Sequence, residues 1–469
     1  MKPRLDVTLL ESHWSQLERM LATGNGAESA SYICLGISEI ENDPWDSVPR
    51  IRLVSHRVEA IEAADKINAS GTHVTWSTRG FMKLLSAAKE SALMPGIVHT
   101  HPGSHAFFSP QDDRNEAELA RTAENKGTFG LVSIVLGGDG SVCARIWRPD
   151  GSILDAKSVQ IVGGRYRRFQ ASGSSNSDSD HLDRQRRLFG EDFNPTIRSL
   201  KVAVVGGGGT GSAVAMLLAR LGIGHLLIVD KDIIDATNLN RVHGARRKDA
   251  DGCMSKTEML KREIDAAELD VNVLTHQGWV SDPSIQNWIK SCDFIFGSTD
   301  DHTGRILLNR LAYFYGIPVI DVGLRMMPWK DDRGHDINGR VTTLCPGRPC
   351  LLCGNVVNVK RAAEESLERS NSAEFEKRKK EAYAIGGGDP APAVVTFTTE
   401  MACVAVNEMI AAITGFQGTD GMLPTRYRRF HLRDERTLAV KKLPTCQICA
   451  STSNWGRADV LPFLDMVGG

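Results

Sequence analysis

The glycine-rich run VAVVGGGGTGSAVAMLLARLG, residues 202–222, constrains the fold of this chain more than any other feature. An apolar strand leads into a tight turn and then into an apolar helical pattern, and Gly206, Gly208 and Gly211 have G-x-G-x-x-G spacing. In that arrangement bare backbone amides and a helix N-terminus hold phosphates. Asp230, at the end of the next strand, would bind ribose hydroxyls. The run predicts a nucleotide-binding βα unit and fits NAD enzymes and ATP enzymes equally well.

The other apolar runs predict two kinds of sheet. In the C-terminal part, the continuous runs LKVAVVG, HLLIVD, CDFIFGS and IPVIDVG alternate with helical stretches, as in parallel sheets buried on both faces. In the first third, SYICLGI, RIRLVS, GIVHTH and TFGLVSIVL are short β-type runs, with a polar helical pattern from Gln111 to Asn125. We predict an α/β protein with an N-terminal mixed α/β domain and a C-terminal Rossmann-like domain whose sheet is mostly parallel.

The length of 469 residues suggests more than one domain. The segment ASGSSNSDSDH, Ala171 to His181, is rich in Ser, Asp and Gly and predicts a flexible linker. We therefore predict a first domain at residues 1–168, a linker at 169–181 and a second domain at 182–469. Inside the second domain, the charged segment KRAAEESLERSNSAEFEKRKKEAY, residues 360–383, predicts a solvated helix or a mobile insertion.

Charge and composition exclude several classes of function. Lys+Arg number 56 and Asp+Glu 57, so neither nucleic acid nor an anionic membrane surface is an expected partner. The N-terminus MKPRLDVTLLESHW has a charge within its first apolar stretch, and no uninterrupted apolar run is long enough to cross a bilayer. We expect a cytoplasmic enzyme. Ten cysteines in so long a chain do not form a disulfide scaffold, and paired cysteines in a reducing compartment more often hold metal.

The string GIVHTHPGSHAFFSPQDD contains a candidate metal site. His99 and His101 are two apart on an apolar run, so a strand would aim both imidazoles at one face. With Asp112 they would leave the fourth position of zinc open for water, as hydrolysis requires. Ser109-Pro110-x-Asp112 is also a good helix start, which is compatible with ligation. A His-x-His pair on a strand is, taken alone, more often a packing feature.

The whole string, H-x-H-P followed after six residues by S-x-x-D, resembles the JAMM (Jab1/MPN/Mov34) zinc metalloproteases. These enzymes have a cytidine-deaminase-like fold and cleave peptide or isopeptide bonds after ubiquitin-like C-termini. The resemblance implies that His99, His101 and Asp112 bind zinc and that Ser109 donates to the developing oxyanion. It also implies an upstream glutamate as general acid/base. We assign Glu28 in GNGAESASYICLG, while the other upstream glutamates remain open alternatives: Glu11, Glu39, Glu41 and Glu59.

In the second domain, IVDKDIIDATNLNR, then Lys256, then STDDHTGR resemble the adenylating superfamily of ThiF, MoeB and the ubiquitin-activating enzymes. The resemblance implies ATP and Mg²⁺, because cations must neutralise the triphosphate before a carboxylate can attack it. It implies these roles: Arg241 and Lys256 contact phosphates, Asn238 orients them, Asp230 holds ribose, Asp232 assists near the metal or ribose, and Asp300 binds Mg²⁺. DRQRRLFG resembles a segment whose arginine enters the partner subunit's site, so Arg184 and a homodimer are implied.

Two CxxC pairs predict a structural zinc site. Cys350 and Cys353 in GRPCLLCG, with Cys446 and Cys449 in PTCQIC, can supply four thiolates to one tetrahedral ion. A redox role would require one active CxxC at a helix start near a βα unit. The closed four-thiolate site is the favoured interpretation.

Thioester transfer lacks its expected cysteine. Family members that form a thioester carry a cysteine in the crossover segment, but this chain has none between Cys353 and Cys403. Cys403 lies in an apolar helical pattern, and Cys253, shortly before Lys256, fits either a catalytic residue or an inert loop. Three serines of the charged insertion remain alternative acyl acceptors: Ser366, Ser370 and Ser372. The terminal Gly468 and Gly469 resemble the ends of the substrates that such enzymes activate, and chance also explains them.

We expect a bifunctional enzyme of a bacterial ubiquitin-like pathway. One domain would trim a ubiquitin-like precursor or remove it from conjugates, and the other would adenylate the exposed C-terminal glycine, using ATP, Mg²⁺ and two zinc ions, one catalytic and one structural. The expected partners are a carrier ending in Gly-Gly and a conjugating-enzyme-like protein. The alternatives are a MoeB/ThiF-type activator of a sulfur carrier, a plain NAD-dependent dehydrogenase, and a JAMM domain that only binds.

Overall fold

A computed structural model describes residues 2–22, 26–62, 66–70, 73–76, 78–170, 180–328, 335–371, 374–375, 392–418, 420–461 and 463–465. The chain forms two compact units. The first comprises Met1–Ser174, Phe314–Gly316 and Thr452–Phe463, and the second comprises Ser175–Tyr313, Ile317–Ser451 and Leu464–Gly469. In the part of the chain that the structure describes, no helix has the length and apolar character needed to cross a membrane.

The first unit is built on an eight-stranded mixed sheet in the order β1-β3-β2-β6-β7-β8-β9-β10, with an additional β1–β9 pairing, and has a separate β4–β5 hairpin. Its strands are β1 (Arg4–Leu10), β2 (Ala30–Ile40), β3 (Arg50–Ala60), β4 (Lys66–Ser70), β5 (His73–Trp76), β6 (Met94–His101), β7 (Leu131–Gly137), β8 (Val142–Trp147), β9 (Ile153–Val162) and β10 (Tyr166–Gln170). Its helices are α1 (Glu11–Leu21), α2 (Thr78–Glu90) and α3 (Pro110–Asn125).

Two apolar clusters bury this sheet. Trp14, Leu17 and Leu21 of α1 join the first cluster, because their spacing places them on one face of the helix. Phe81 and Leu85 of α2 join the second. Helices α1 and α2 therefore pack on the sheet. The end of β6 lies beside the start of α3, where His99 is in contact with Asp112.

The second unit is built on a sheet in the order β13-β12-β11-β14-β15-β16-β17-β18. The strands are β11 (Lys201–Val205), β12 (His225–Val229), β13 (Asn272–His276), β14 (Phe294–Gly297), β15 (Val319–Pro328), β16 (His335–Leu344), β17 (Thr425–Arg429) and β18 (Asp434–Thr437). The helices are α4 (Asp183–Phe189), α5 (Phe193–Ser199), α6 (Gly209–Leu221), α7 (Arg247–Asp251), α8 (Lys256–Asp265), α9 (Gln286–Lys290), α10 (His302–Phe314), α11 (Val359–Ser370) and α12 (Val395–Thr414).

Strands β13, β12, β11, β14 and β15 are parallel, and β16 to β18 continue the sheet in antiparallel pairs. The central parallel strands β11, β12 and β14 are almost entirely buried and mostly apolar, as expected for a parallel sheet covered on both faces. The carboxyl ends of β11, β12 and β14 meet at one edge of the sheet, which is where open α/β sheets bind ligands.

The α/β prediction, with a mixed sheet first and a Rossmann-like sheet second, is confirmed. The segment Thr452–Phe463 groups with the first unit, whereas the sequence prediction assigned 182–469 to one domain. Its anchoring is specific: Ala458 forms a parallel β-bridge with Ile37, and the Asp459 carboxylate accepts from the backbone N–H of Glu39 at 2.8 Å. These contacts join residues that are far apart in sequence, so no local pattern indicates them.

Candidate functional site

The turn between β11 and α6 requires its glycines. Gly206 has a φ of +96°, and a Cβ there would lie 2.7 Å from the Ser298 carbonyl oxygen. A Cβ on Gly211 would lie 1.7 Å from the Gly206 oxygen, so the helix can approach the strand only without a side chain. Gly208, the residue before α6, has open space where its Cβ would be. The backbone amides at the start of α6 can therefore face a phosphate.

Asp230 follows β12 and binds the glycine loop. Its Oδ2 accepts from the backbone N–H of Gly207 at 2.5 Å, and its Oδ1 accepts from that of Asp232 at 2.7 Å. Burial raises the pKa of Asp230, although the charge of Lys256 and the two backbone hydrogen bonds oppose that shift. The carboxylate fixes the loop that would approach a nucleotide.

Charged side chains surround this turn. Lys256 Nζ lies 2.8 Å from Asp232 Oδ2, and Lys231 Nζ lies 2.9 Å from Asp232 Oδ1. Burial opposes ionisation of Asp232, but the two lysines outweigh it and hold the pKa of the carboxyl below its usual range. The Arg241 side chain lies beside the loop, 3.2 Å from where a Cβ of Gly209 would stand. Three cationic side chains, Lys231, Arg241 and Lys256, therefore lie near the place where a triphosphate would bind.

These residues line one cleft. Of the residues predicted from the sequence, seven lie there: Gly206, Gly208, Asp230, Asp232, Arg241, Lys256 and Asp300. The cleft also contains residues that the sequence reasoning missed: Lys231, Gly278, Trp279, Val280, Ser298, Thr299 and Asp301. The missed residues come from loops after β12, β13 and β14. The sequence could have indicated them only through topology, because the loops that follow neighbouring parallel strands lie at the same edge of the sheet.

Three predicted residues lie outside the cleft lining. Gly211 lies on α6, where its lack of a side chain lets the helix pack against the backbone of Gly206. Asn238 is buried in a short turn, where its amide nitrogen donates to Asp235 at 3.2 Å, while its Oδ1 makes no hydrogen bond among the described residues. Arg184 is exposed on α4. The structure therefore does not bring Arg184 to the cleft residues of its own chain.

The alternative acyl acceptors have these positions. Cys253 is exposed at a turn with a φ of +49°, and Cys403 is half-buried on α12. Ser366 and Ser370 lie on α11, where the Ser370 hydroxyl donates to the Ser366 carbonyl at 2.9 Å. Ser372, Gly468 and Gly469 lie outside the described residues.

A second cluster lies in the first unit, where His99 and His101 end β6. His99 Nε2 is 3.3 Å from Asp112 Oδ1, and His101 Nε2 is 3.6 Å from Asp112 Oδ2. One ligand atom from each of the three residues lies within 4.8 Å of the others. His99 Nε2 is buried and, within the described residues, makes no hydrogen bond of good geometry. A buried nitrogen aimed at a carboxylate and a second imidazole fits a zinc ion.

Strand register brings Glu28 to this cluster. β2 and β6 are antiparallel with Ala30 opposite His99, so the same register places Glu28 opposite His101. Glu28 Oε1 lies 3.8 Å from His101 Nε2. By contrast, Glu11 binds elsewhere, since its carboxylate accepts from the backbone N–H of Gly164 at 2.7 Å.

Asp112 is held by the start of α3. Ser109 Oγ accepts from the backbone N–H of Asp112 at 3.2 Å, and Asp112 Oδ2 accepts from that of Ser109 at 2.7 Å, which is a capping box. Burial opposes ionisation of Asp112, but the His99 imidazole and the Ser109 contacts hold the pKa of the carboxyl below its usual range. Burial and the neighbouring His99 lower the pKa of His101. An ionised carboxylate and neutral imidazoles are the forms that bind metal.

The two CxxC pairs converge in the second unit. Sγ of Cys350 lies 3.5 Å from that of Cys446, and Sγ of Cys353 lies 3.4 Å from that of Cys449. All four cysteines are buried. Zinc–sulfur bonds of about 2.3 Å place tetrahedral thiolates roughly 3.8 Å apart, so the cluster fits a zinc ion closely. A hydrogen bond from Cys449 lowers the pKa of the Cys350 thiol.

Comparison with known proteins identifies both halves. Residues 182–448 match the model of the ThiF family, and residues 11–150 match the model described as prokaryotic homologs of the JAB domain. The chain is 29% identical over 183 residues to the SAMP-activating enzyme E1 of Haloferax volcanii, covering 38% of this chain and 63% of that protein.

Two further relatives are similar over shorter stretches of the chain. The chain is 32% identical over 170 residues to a ubiquitin-activating enzyme E1-like protein of Saccharomyces cerevisiae, covering 35% of this chain and 24% of that protein. It is 31% identical over 133 residues to the probable adenylyltransferase/sulfurtransferase MoeZ of Mycobacterium tuberculosis, covering 28% of this chain and 33% of that protein. The chain spans less than two thirds of the length of each of these three relatives.

Proposed function

The chain belongs to the ThiF family, with a JAB-type domain at residues 11–150, and we propose that residues 182–469 adenylate the C-terminal carboxylate of a ubiquitin-like or sulfur-carrier protein. The single observation that carries this proposal is the cleft at the carboxyl edge of the parallel sheet. It combines the glycine loop, the ribose-binding candidate Asp230, the cations Arg241 and Lys256, and Asp300.

The reaction explains why the cleft is cationic. A carboxylate oxygen of the carrier attacks the α-phosphorus of ATP, the bond from that phosphorus to the bridging oxygen breaks, and pyrophosphate leaves. Two anions must meet before the new bond forms, so Arg241 and Lys256 reduce the repulsion. Asp300 would hold Mg²⁺, which supplies further positive charge to the phosphates when bound. Asp232 keeps Lys256 in place through the ion pair described above.

ATP–pyrophosphate exchange tests this proposal. The wild type should exchange labelled pyrophosphate into ATP only when a carrier ending in Gly-Gly is present, and a carrier that lacks the last glycine should not support exchange. Failure of every Gly-Gly carrier would overturn the proposal. NAD binding without exchange would favour the dehydrogenase alternative.

We propose a homodimer in which Arg184 of one protomer serves the cleft of its partner. The exposed position of Arg184 on α4, away from the cleft of its own chain, supports this. Mixing an Arg184→Ala variant with a Lys256→Ala variant would restore exchange above the sum of the two, because a mixed dimer has one cleft with both cations. The control mixes Arg187→Ala, a change at another exposed arginine of α4, with Lys256→Ala. The exchange rate of this mixture should not exceed the sum of the rates of the two variants measured alone.

For the first unit we propose a zinc peptidase that trims a carrier precursor or removes the carrier from conjugates. His99, His101 and Asp112 would hold zinc, which supplies a Lewis acid and activates water when bound. Glu28 accepts the proton of the attacking water and returns it to the leaving amine. The Ser109 hydroxyl oxygen accepts from the Asp112 backbone, so its own proton remains available to the developing oxyanion.

The adenylate has two plausible fates, which the identity of the carrier separates. One fate is transfer of the carrier to a conjugating-enzyme-like partner, and the similarity to two proteins named as activating enzymes supports an activation pathway. The other is transfer of sulfur, which the name of the adenylyltransferase/sulfurtransferase MoeZ includes. We favour the first because the peptidase activity that we propose for the JAB-type domain would cleave the conjugates that such a pathway forms. Product analysis after incubation with candidate partners distinguishes an amide-linked carrier from a thiocarboxylate.

A further inference from the structure

Helix α11 lies in the charged segment that the sequence left as a solvated helix or an insertion. Two of its side chains, Glu365 and Arg369, are four residues apart and therefore share one face of the helix. Both contact the segment from Asp301 to Thr303, at the rim of the nucleotide cleft. This face of α11 is therefore docked on the second unit.

Glu365 caps the start of α10. Its carboxylate oxygens accept from the backbone N–H of His302 at 3.1 Å and from that of Thr303 at 2.9 Å, and also from the Thr303 hydroxyl at 3.0 Å. The first N–H groups of a helix have no partner within the helix, and a negative charge there is favourable. Glu365 thus fixes the point at which the cleft loop becomes α10.

Arg369 joins two loops of the cleft. Its Nη2 lies 2.7 Å from Asp301 Oδ2, and its guanidinium carbon lies 3.4 Å from the centre of the Trp279 ring. Trp279 comes from the loop after β13 and Asp301 from the loop after β14, and both line the cleft. Lys231 contacts the same ring, at 4.7 Å. A stacked, ion-paired guanidinium is held by two kinds of interaction at once.

This arrangement gives the two adjacent aspartates different tasks. The Asp301 carboxylate accepts from the backbone N–H of Gly304 at 2.6 Å, from Thr299 and from Arg369. Burial opposes ionisation, but these contacts hold the pKa of Asp301 below its usual range. Asp300 lines the cleft, and within the described residues no hydrogen bond engages its carboxylate. Asp301 therefore holds the loop after β14 in place, and the Asp300 carboxylate is available to bind a metal ion.

We propose that Glu365 and Arg369 are positioning residues for adenylation, an inference that rests on the proposed function. They hold Thr299–Asp301 and Trp279 in the geometry that binds Mg²⁺ and nucleotide. Neither residue touches the reacting atoms in this account. Their effect reaches the reaction through Asp300 and Trp279.

The test compares Arg369→Ala, Arg369→Lys and Glu365→Ala with two exposed controls on the same helix, Glu368→Ala and Lys360→Ala. Exchange kinetics give the KM for MgATP and kcat separately, and thermal unfolding reports the stability of each variant. Arg369→Ala should raise the KM by about tenfold or more, since it removes a charged hydrogen bond. Arg369→Lys should recover part of this loss by keeping the ion pair, and the controls should stay within about twofold.

A fluorescence measurement separates a local effect from general damage. The Trp279 signal is the difference between each protein and its Trp279→Phe counterpart. It should change in Arg369→Ala before any nucleotide is added and should not change in the two controls. The inference is overturned if Arg369→Ala and Glu365→Ala match the wild type in KM, or if their defect appears only with lowered unfolding temperature and no Lys rescue. Absence of exchange in the wild type would instead refute the proposed function, and the Trp279 signal would still report on the contact.

Discussion

Asp230 Oδ2 accepts a hydrogen bond from the backbone N–H of Gly207, so the acid after β12 and the glycine loop after β11 form one unit. The loop is therefore set by a neighbouring strand as well as by its own glycines. If this carboxylate binds ribose as proposed, it acts on two parts of a nucleotide, because it also fixes the glycine loop that would hold the phosphates.

Asp230→Ala should weaken ATP binding more than the loss of one ribose contact would. We expect the dissociation constant for ATP to rise by at least about tenfold, because the backbone N–H groups of Gly207 and Asp232 both lose their acceptor. Isothermal titration calorimetry measures this directly. Asp251→Ala is the matched control, since Asp251 is exposed on α7. Equal ATP affinity of the two variants would contradict the role of Asp230.

Glu28→Gln should abolish cleavage while preserving metal. A general base contributes about 100- to 10,000-fold, and Gln keeps the size of the side chain but cannot take a proton at this step. Cleavage of a ubiquitin-like precursor with a C-terminal extension is the readout, with zinc content measured on the same sample. The exposed Glu41→Gln should cleave normally. Full cleavage by Glu28→Gln would leave the JAB-type domain as a binding module.

Removal of one thiolate should release the structural zinc. Cys446→Ser leaves three thiolates, so elemental analysis should show one zinc fewer per chain and the second unit should unfold at a lower temperature. Peptidase activity of the first unit should persist in the same protein. Cys253→Ser, which changes an exposed cysteine, should keep the full zinc content. Unchanged zinc in Cys446→Ser would refute the four-thiolate site.

A buried ion pair should make the second unit sensitive to acid. Asp321 is fully buried, with Oδ2 at 3.2 Å from Arg305 Nε and Oδ1 at 2.5 Å from Arg340 Nη2. Burial opposes ionisation, but the two arginines outweigh it and hold the pKa of Asp321 below its usual range. The stabilisation is complete above the pKa of the unfolded carboxyl, about 3.9, and is lost as pH falls through the lower folded value.

The corresponding measurement is urea unfolding of Asp321→Asn. Near neutral pH the variant should lose about 3 kcal/mol of unfolding free energy, because two partly buried guanidinium groups lose their fully buried counterion. At pH about 3 the difference from the wild type should narrow, since the Asp321 carboxyl of the unfolded wild-type chain is then protonated and the folded state loses part of its advantage. A difference that stays constant with pH would contradict the ionised pair.

The sequence was most informative where structure is local. The apolar runs that became β11, β12, β14 and β15, and the glycine turn between β11 and α6, have their cause in a few adjacent residues. Strands β16 to β18 were not predicted from the sequence, because a strand such as TRYRR, at β17, carries charge, is only partly buried and shows no continuous apolar run. Their positions follow from successive pairing, β16 with β15, β17 with β16 and β18 with β17, which no short sequence pattern encodes.

The site residues also fall into two groups, those that a local motif indicates and those that long-range pairing brings to the site. Arg241 and Lys256 were named from a motif, whereas Trp279 and Asp301 enter the cleft through loops separated along the chain. Glu28 was one of several upstream glutamates, and only the β2–β6 register explains its place beside His101. Topology and register, which depend on distant pairings, therefore account for what the sequence left open.

Label transfer from ATP tests the central claim most directly. With ATP labelled at the α-phosphate, a carrier ending in Gly-Gly and the wild-type protein, we predict a labelled carrier that carries AMP, formed with release of unlabelled pyrophosphate. Lys256→Ala should lower its formation by about 100-fold, as expected for loss of a cation at a transferring phosphoryl group. ATP that binds in the cleft without ever labelling a Gly-Gly carrier would contradict the account.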